Sequence, residues 1–223
     1  MQHFAKGEII LVQDEVPRTG YLIKEGVVKT YNLTSEGEEK PISFDIEGEL
    51  IPVAWMFSKV SYAQYFYEAF TDCDLYCVPR DEYMAFLKQN PDWLFEVFDY
   101  FVTRYLNYQM RINALEQSKA SSKVLHTIHF FALRFGKDVK ANTVKINLPL
   151  TQQDLANFMG LTRETTSVEL KKLQEQGIIS YRNQEYTVGA DKLNELLDED
   201  YDQGRFDANL KNGGSVVGPP LQL

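Results

Sequence analysis

The sequence predicts an α+β chain laid out in three successive parts, and three observations predict it. Strand-length apolar runs separated by turn residues extend from Gly7 to about Arg80. A single apolar stripe with heptad spacing follows from Leu94 to Leu115. Two short helical segments joined at Gly160, then a hairpin pattern, come last.

The 223 residues suit two modest domains better than one large one. A hydrophobic content of 44%, with 13% aromatic residues, is enough for genuine cores. No stretch approaches the ~20 consecutive apolar residues of a membrane helix, so no membrane partner is expected. The opening Met1-Gln2-His3-Phe4-Ala5-Lys6-Gly7 has no basic region followed by an apolar run and a small-residue cleavage site. No secretion signal is therefore expected, and cytoplasm is the expected compartment. Cys73 and Cys77 share a face if Asp72–Val78 is a strand, and both are expected as buried core thiols. Two cysteines exclude a four-cysteine iron–sulfur cluster within one chain, and no cofactor is expected. The formal net charge is −9, which taken whole argues against a nucleic-acid partner. Its distribution says otherwise: residues 1–118 hold 10 Lys and Arg against 19 Asp and Glu, whereas residues 119–199 hold 11 against 10. The C-terminal part is near neutral and can present a local basic face.

In the N-terminal part the strand-length runs are Glu8–Gln13, Tyr21–Lys24, Val27–Leu33, Ile42–Ile46 and Tyr65–Ala69. Pro17-Arg18-Thr19-Gly20, Glu25-Gly26, Ser35-Glu36-Gly37 and Glu47-Gly48 interrupt them with turn chemistry. This spacing predicts an antiparallel sandwich or barrel. At Asn90-Pro91-Asp92 an N-cap candidate, Pro at the first helical position and an acidic residue mark a helix start. Leu94, Phe98, Phe101, Tyr105, Tyr108, Ile112 and Leu115 then recur at alternating four- and three-residue intervals, the pattern of a coiled-coil seam. A homodimer seam fits this strict line better than a helix packed on its own domain, whose apolar stripe is usually broader. A further helix runs to Arg134-Phe135-Gly136 with Val124, Ile128, Phe131 and Phe135 on one face and Gly136 as its stop. His126 and His129 are close enough on that helix to share a metal, but no third ligand lies near, and no metal site is expected. These boundaries divide the chain into 1–89, 90–118 and 119–199, with 200–223 read as a disordered tail containing Gly213-Gly214 and Pro219-Pro220.

The most specific segment is Leu150–Leu170. Thr151 caps a first helix with Asp154 three residues on, and small Ala156 allows close approach of a neighbour. Gly160 permits a tight turn, and Thr162 caps a second helix whose Leu170 and Leu173 point inward. Arg163, Glu164, Ser167 and Lys171 are left on the outer face, which suits the major groove of double-stranded DNA. Arg addresses guanine O6 and N7, and Glu accepts from cytosine N4. Thr151, Gln153 and Thr162 at the helix starts are candidate phosphate anchors. Ile178–Arg182, a polar Asn183-Gln184-Glu185 and Tyr186-Thr187-Val188 read as a hairpin, the wing of a winged helix-turn-helix.

With these residues in place, the chain resembles the Crp/Fnr superfamily of cyclic-AMP-receptor-like regulators from Gly7 to Val188. Lys6-Gly7-Glu8-Ile9-Ile10, Tyr21-Leu22-Ile23, Glu25–Lys29, Gly37-Glu38-Glu39, Gly48-Glu49-Leu50, Ala69–Cys73, Pro79-Arg80 and above all Leu161-Thr162-Arg163-Glu164-Thr165 carry the resemblance. It implies a cyclic-nucleotide-binding-type β jelly roll, a long dimerisation helix and a C-terminal winged helix-turn-helix. It further implies a palindromic DNA site, RNA polymerase as a partner, and a small-molecule effector or none. By the same resemblance Glu49, Gln64, Tyr108 and Gln109 are the candidate effector-pocket residues. Ala63 and Gln64 stand where cyclic-nucleotide binders carry an Arg-Ser pair. Losing that Arg removes a charged hydrogen bond worth about 1.5–3 kcal/mol, so cyclic AMP binding of the usual kind is not expected. The cysteine cluster of oxygen-sensing members is missing, and Val168 stands where many members have a second Arg. A Gly-rich phosphate loop, a nucleophile elbow and a metal-spaced His/Glu set are all absent from the sequence, so no enzyme is expected. A dimeric sensor that has lost DNA binding is the alternative, favoured by the −9 charge and Val168.

Overall fold

The computed structural model describes residues 1–140, 142–182 and 184–200. It divides into two compact units, one from Met1 to Phe101 and one beginning at Val102, so the division falls within a helix.

The first unit comprises β1 (Gln2–Phe4), β2 (Ile9–Leu11), β3 (Gly20–Glu25), β4 (Val28–Leu33), β5 (Glu39–Asp45), β6 (Leu50–Ile51), the one-turn α1 (Val53–Met56), β7 (Phe66–Ala69), β8 (Cys73–Val78), α2 (Arg80–Gln89) and the start of α3 (Pro91–Glu116). Two antiparallel sheets, β1-β8-β3-β6 and β2-β7-β4-β5, contribute Ile10, Ile23, Val28, Ala69 and Leu75 to one shared core. This is the two-sheet roll that period-two alternation dictates, because each sheet has one apolar face to bury. Pro41 falls inside β5, an edge strand, where its missing N–H costs no ladder hydrogen bond. On β4 the buried Lys29 ammonium is held 2.6 Å from Glu39 and 3.2 Å from Glu68, and it lies 4.6 Å from the centre of the Tyr31 ring. Two acidic partners make that buried charge tolerable.

Several sequence expectations change here. Cys73 is buried but Cys77 is exposed. The alternation that places Cys73 and Leu75 inward ends there, and Val78 joins a second cluster with Leu50, Trp55 and Met56. Asn90 precedes α3, yet its side-chain N–H donates to the Phe86 carbonyl at 2.8 Å, so it also closes α2. On α3, Leu94, Phe98, Tyr105, Tyr108 and Ile112 are exposed, as are Phe95 and Val102 outside the expected heptad line. Phe101 turns inward instead, with its ring 5.4 Å from that of Phe57, and Leu115 is half-buried. The exposed stripe therefore passes through Phe95 and Val102 rather than Phe101.

The second unit continues from α3 through α4 (Ala120–Phe135), β9 (Gly136–Lys140), β10 (Thr143–Ile146), α5 (Gln152–Met159), α6 (Arg163–Glu175), β11 (Ile179–Arg182), β12 (Glu185–Gly189) and α7 (Ala190–Asp200). Its four strands form one antiparallel sheet in the order β11-β12-β10-β9. Val124, Ile128, Phe131 and Phe135 of α4 are all buried. Gly136 is the stop expected of it, but with an extended rather than a left-handed backbone: its φ of −75° and ψ of 140° lead straight into β9. Glycine is required by space, because a Cβ there would run into the Ala132 carbonyl oxygen and Val144. β1, β6, β9, β10, α1, α2 and α7 went unpredicted; most are too short or too exposed to carry a hydrophobic period. The disordered-tail expectation covers residues 200–223; Asp200 instead ends α7, and the rest lie outside the described residues. Among the described residues no helix is long and apolar enough to cross a membrane.

His126 is buried on α4 and His129 half-buried. Burial, with His126 as a neighbouring like charge, pulls the His129 pKa from 6.5 down to about 4. The folded state then binds fewer protons than the unfolded chain, so stability falls as pH drops from 6.5 to about 4. Urea unfolding at about pH 7 and about pH 4.5 should show His129→Gln losing on the order of 2 kcal/mol less than the native chain over that interval. Equal losses in both proteins would remove His129 as the cause.

Candidate nucleic-acid interface

The site begins with a helix start. Thr151 Oγ1 accepts the Asp154 N–H at 3.1 Å, the Thr151 N–H donates to Asp154 Oδ2 at 2.8 Å, and the Thr151 hydroxyl donates to the same oxygen at 2.6 Å. This reciprocal capping box fixes the first turn of α5. α5 ends at Gly160, whose φ of 66° and ψ of 34° are left-handed, and the Leu161 N–H returns to the Ala156 carbonyl at 3.0 Å. A side chain at Gly160 would resist that backbone, and this turn sets the direction of α6. Thr162 then caps α6, its Oγ1 accepting the Thr165 N–H at 3.1 Å.

Thr166, Leu170 and Leu173 form the inner face of α6 and are buried, while Ala156, Phe158 and Met159 do the same for α5. Glu164, Val168 and Lys171 stand exposed on the opposite side with Ser167 half-buried at its edge, whereas Arg163, three residues before the buried Thr166, is exposed in the first turn of the helix rather than on that line. Lys171 lies 3.7 Å from Glu175, and Lys172 lies 2.7 Å from Glu169. Gln153 is exposed at the start of α5 and donates to Asn157 Oδ1 at 2.7 Å. Of the expected phosphate anchors, the Thr151 and Thr162 hydroxyls are already engaged in their caps. In the adjoining sheet the Tyr181 and Tyr186 rings stack at 4.4 Å, and Lys145 on β10 reaches Glu185 on β12 at 2.6 Å.

One functional candidate escaped the sequence reading. Arg111 of α3 lays its guanidinium 4.1 Å from the centre of the Phe158 ring on α5, and burial lowers its pKa to about 10. Phe158 also meets Phe130 at 5.8 Å and Phe131 at 4.9 Å on α4. The only hint in the sequence was a cation placed immediately before the apolar Ile112.

The expected effector residues fall in separate units. Glu49 is 4% exposed and its Oε2 accepts the Ile46 N–H at 3.0 Å. Ala63 is buried, and Gln64 is exposed. Asp45, also buried, accepts hydrogen bonds from Thr30 at 2.7 Å and from Ser43 at 3.1 Å. In the second unit the Tyr108 hydroxyl accepts from Arg104 at 2.8 Å, and Gln109 donates to the Tyr105 hydroxyl at 2.9 Å.

A β-roll followed by a long helix and a capped helix-turn-helix with a hairpin wing defines a class of two-domain architecture. Two family models match it in the same order, a cyclic nucleotide-binding domain over residues 1–90 and a Crp-like helix-turn-helix domain over residues 124–196. The chain belongs to the Crp/Fnr superfamily. It is 29% identical over 113 residues to the nitrogen fixation regulation protein FixK of Azorhizobium caulinodans, covering 51% of this chain and 46% of that protein. It is 28% identical over 120 residues to the global nitrogen regulator of a Nostoc species, covering 54% of this chain and 53% of that one. The matches thus span about half the length of these curated relatives. The structure of FixK2 from Bradyrhizobium japonicum superposes with a TM-score of 0.72 at 20% identity, covering 87% of this chain and 95% of that one, a likeness of fold.

Two of the motif's threonines, Thr151 and Thr166, should respond differently to loss of the hydroxyl. Thr151→Ala removes the cap and should cost about 1 kcal/mol in chemical unfolding. The Thr166 hydroxyl is fully buried with no hydrogen-bond partner among the described residues. Thr166→Val should therefore be neutral or stabilising by up to about 1 kcal/mol. A destabilised Thr166→Val protein would show that the hydroxyl has a partner in solution.

Proposed function

We propose that this chain is a sequence-specific DNA-binding transcription regulator that reads a palindromic site as a homodimer in the cytoplasm, without cyclic AMP control of the usual kind. The observation that carries the reading is the outer face of α6. Arg163 and Glu164 head a helix that is doubly anchored, by its threonine cap and by the buried Thr166, Leu170 and Leu173. Directional hydrogen bonds to base edges need that rigidity, because a loosely held helix cannot keep a guanidinium in register with guanine O6 and N7.

Dimerisation is supported by the exposed stripe on α3, where Phe95 is 73% and Phe98 64% exposed. Side chains of that size in one line are costly to leave in water, and a second copy of the same helix covers them. In the two-domain reading, residues 1–89 are the effector-type roll, 90–118 the dimerisation helix and 119–199 the reader. Two-fold symmetry then sets the half-sites about 34–36 Å apart. The absence of cyclic AMP control is supported by the roll's own charges. Its buried carboxylates are Asp45 and Glu49, its buried Lys29 is already paired with two glutamates, and Arg18 is exposed. An anionic cyclic phosphate has no buried guanidinium to meet there. RNA polymerase is the further partner of a regulator of this type.

Selection from a random-sequence DNA pool, read out by fluorescence anisotropy, tests the proposal. A palindrome should be enriched, and affinity should fall by about a thousandfold or more between about 50 and 200 mM salt. Arg163→Ala/Glu164→Ala should abolish the preference. Enrichment of no site by the native chain, with or without added effector candidates, would favour the sensor that acts through protein contacts. Separately, Phe98→Asp/Ile112→Asp should give a monomer in sedimentation velocity, with DNA affinity lowered at least about a hundredfold. A dimer persisting in that variant would move the interface away from α3.

A further inference from the structure

The outer face of α6 carries one side chain that polar base reading does not use. Val168 is 54% exposed, on a helix whose other exposed residues are charged or polar. It lies four residues after Glu164 and three before Lys171, so the three share one line down the helix. That line is opposite the buried Thr166, Leu170 and Leu173, and Val168 is not part of the packing that holds α6 in place. Nor does local structure call for valine, since β-branched residues are among the weaker helix formers and an exposed one loses hydration free energy. The side chain is explained by what the face docks against.

We infer that Val168 is a specificity-determining residue that packs on the C5-methyl group of a thymine next to the base read by Glu164 in each half-site. The inference rests on the DNA-reading function proposed above. Thymine is the base that presents an apolar group to the major groove, and a branched aliphatic side chain is the partner it matches. Valine on a helix is confined to essentially one χ1 rotamer, so docking it costs little side-chain entropy compared with a long cation. It also selects by exclusion. Valine cannot donate to guanine O6 or N7, and packing against those acceptors would strip them of water without replacement. The contact is short-ranged and uncharged, so it adds discrimination without adding to the salt dependence set by the phosphates.

The test uses the full-length chain and the palindrome selected for it. Each thymine of the half-site is replaced in turn by deoxyuridine, which removes the methyl group and leaves the hydrogen-bonding edge intact. Native protein should lose about fourfold in affinity per half-site at one thymine, the loss expected for one buried methyl-sized group. Val168→Ala should bind the thymine site more weakly and show no further loss on that deoxyuridine site. Val168→Arg, selected on the same random pool, should move the preferred base at that position to guanine. Equal binding of all deoxyuridine sites by the native protein would overturn the inference while leaving DNA reading intact, and so would an unchanged deoxyuridine penalty in Val168→Ala. Loss of any selected palindrome from the native chain would instead sink the DNA-reading proposal, and this one with it. An unchanged thermal midpoint in both variants verifies that the fold is not the cause.

Discussion

The second unit is organised around the burial of Phe158. Its ring is enclosed by Phe130 and Phe131 of α4 and covered by the Arg111 guanidinium of α3, so three helices meet on one side chain of the first motif helix. An arginine stacked on an aromatic face contributes both apolar contact and attraction to the ring's negative quadrupole, and it is stronger where water is excluded. Because α5 is held this way, the left-handed turn at Gly160 projects α6 in one direction only. The outer face of α6 is held in place by the burial of Thr166, Leu170 and Leu173 on the inner one.

This arrangement also gives α3 a direct handle on the reader. Arg111 lies one residue before Ile112, which is exposed on the apolar stripe, while Arg111 itself reaches α5. A rotation of α3 would therefore move a group in contact with α5, without any intervening loop.

Charge follows the same division of labour. A protein with a net charge of −9 is a poor polyanion binder on average, but its excess carboxylates lie mostly before residue 119. On α6 the acidic Glu169 and Glu175 sit beside Lys172 and Lys171, which limits their repulsion of a phosphate backbone. Within the roll, the buried Lys29 is neutralised by Glu39 and Glu68, and the buried Asp45 is satisfied by hydroxyls. These buried charges of the first unit are thus satisfied from within it.

The sequence by itself determined the class, the capped helix pair and the inward-pointing Leu170 and Leu173 of its second helix. These depend on contacts three or four positions apart: the Thr151–Asp154 box, the Gly160 turn and the Thr162 cap are complete within a few residues of chain. The strand-length runs broken by turn residues likewise announced an antiparallel sandwich or barrel. Tertiary structure alone decided features that depend on distant neighbours. Phe101 left the heptad line because Phe57, far away in sequence, offered it a ring to pack on. Cys77 became exposed because the inward face of its strand changes clusters after Leu75. Gly136 ends its helix for reasons of space rather than of backbone conformation, and β10 lies between its hairpin partner β9 and the distant β12. Local hydrogen-bond geometry can be read from neighbouring residues, whereas burial is a property of whatever else the chain brings alongside.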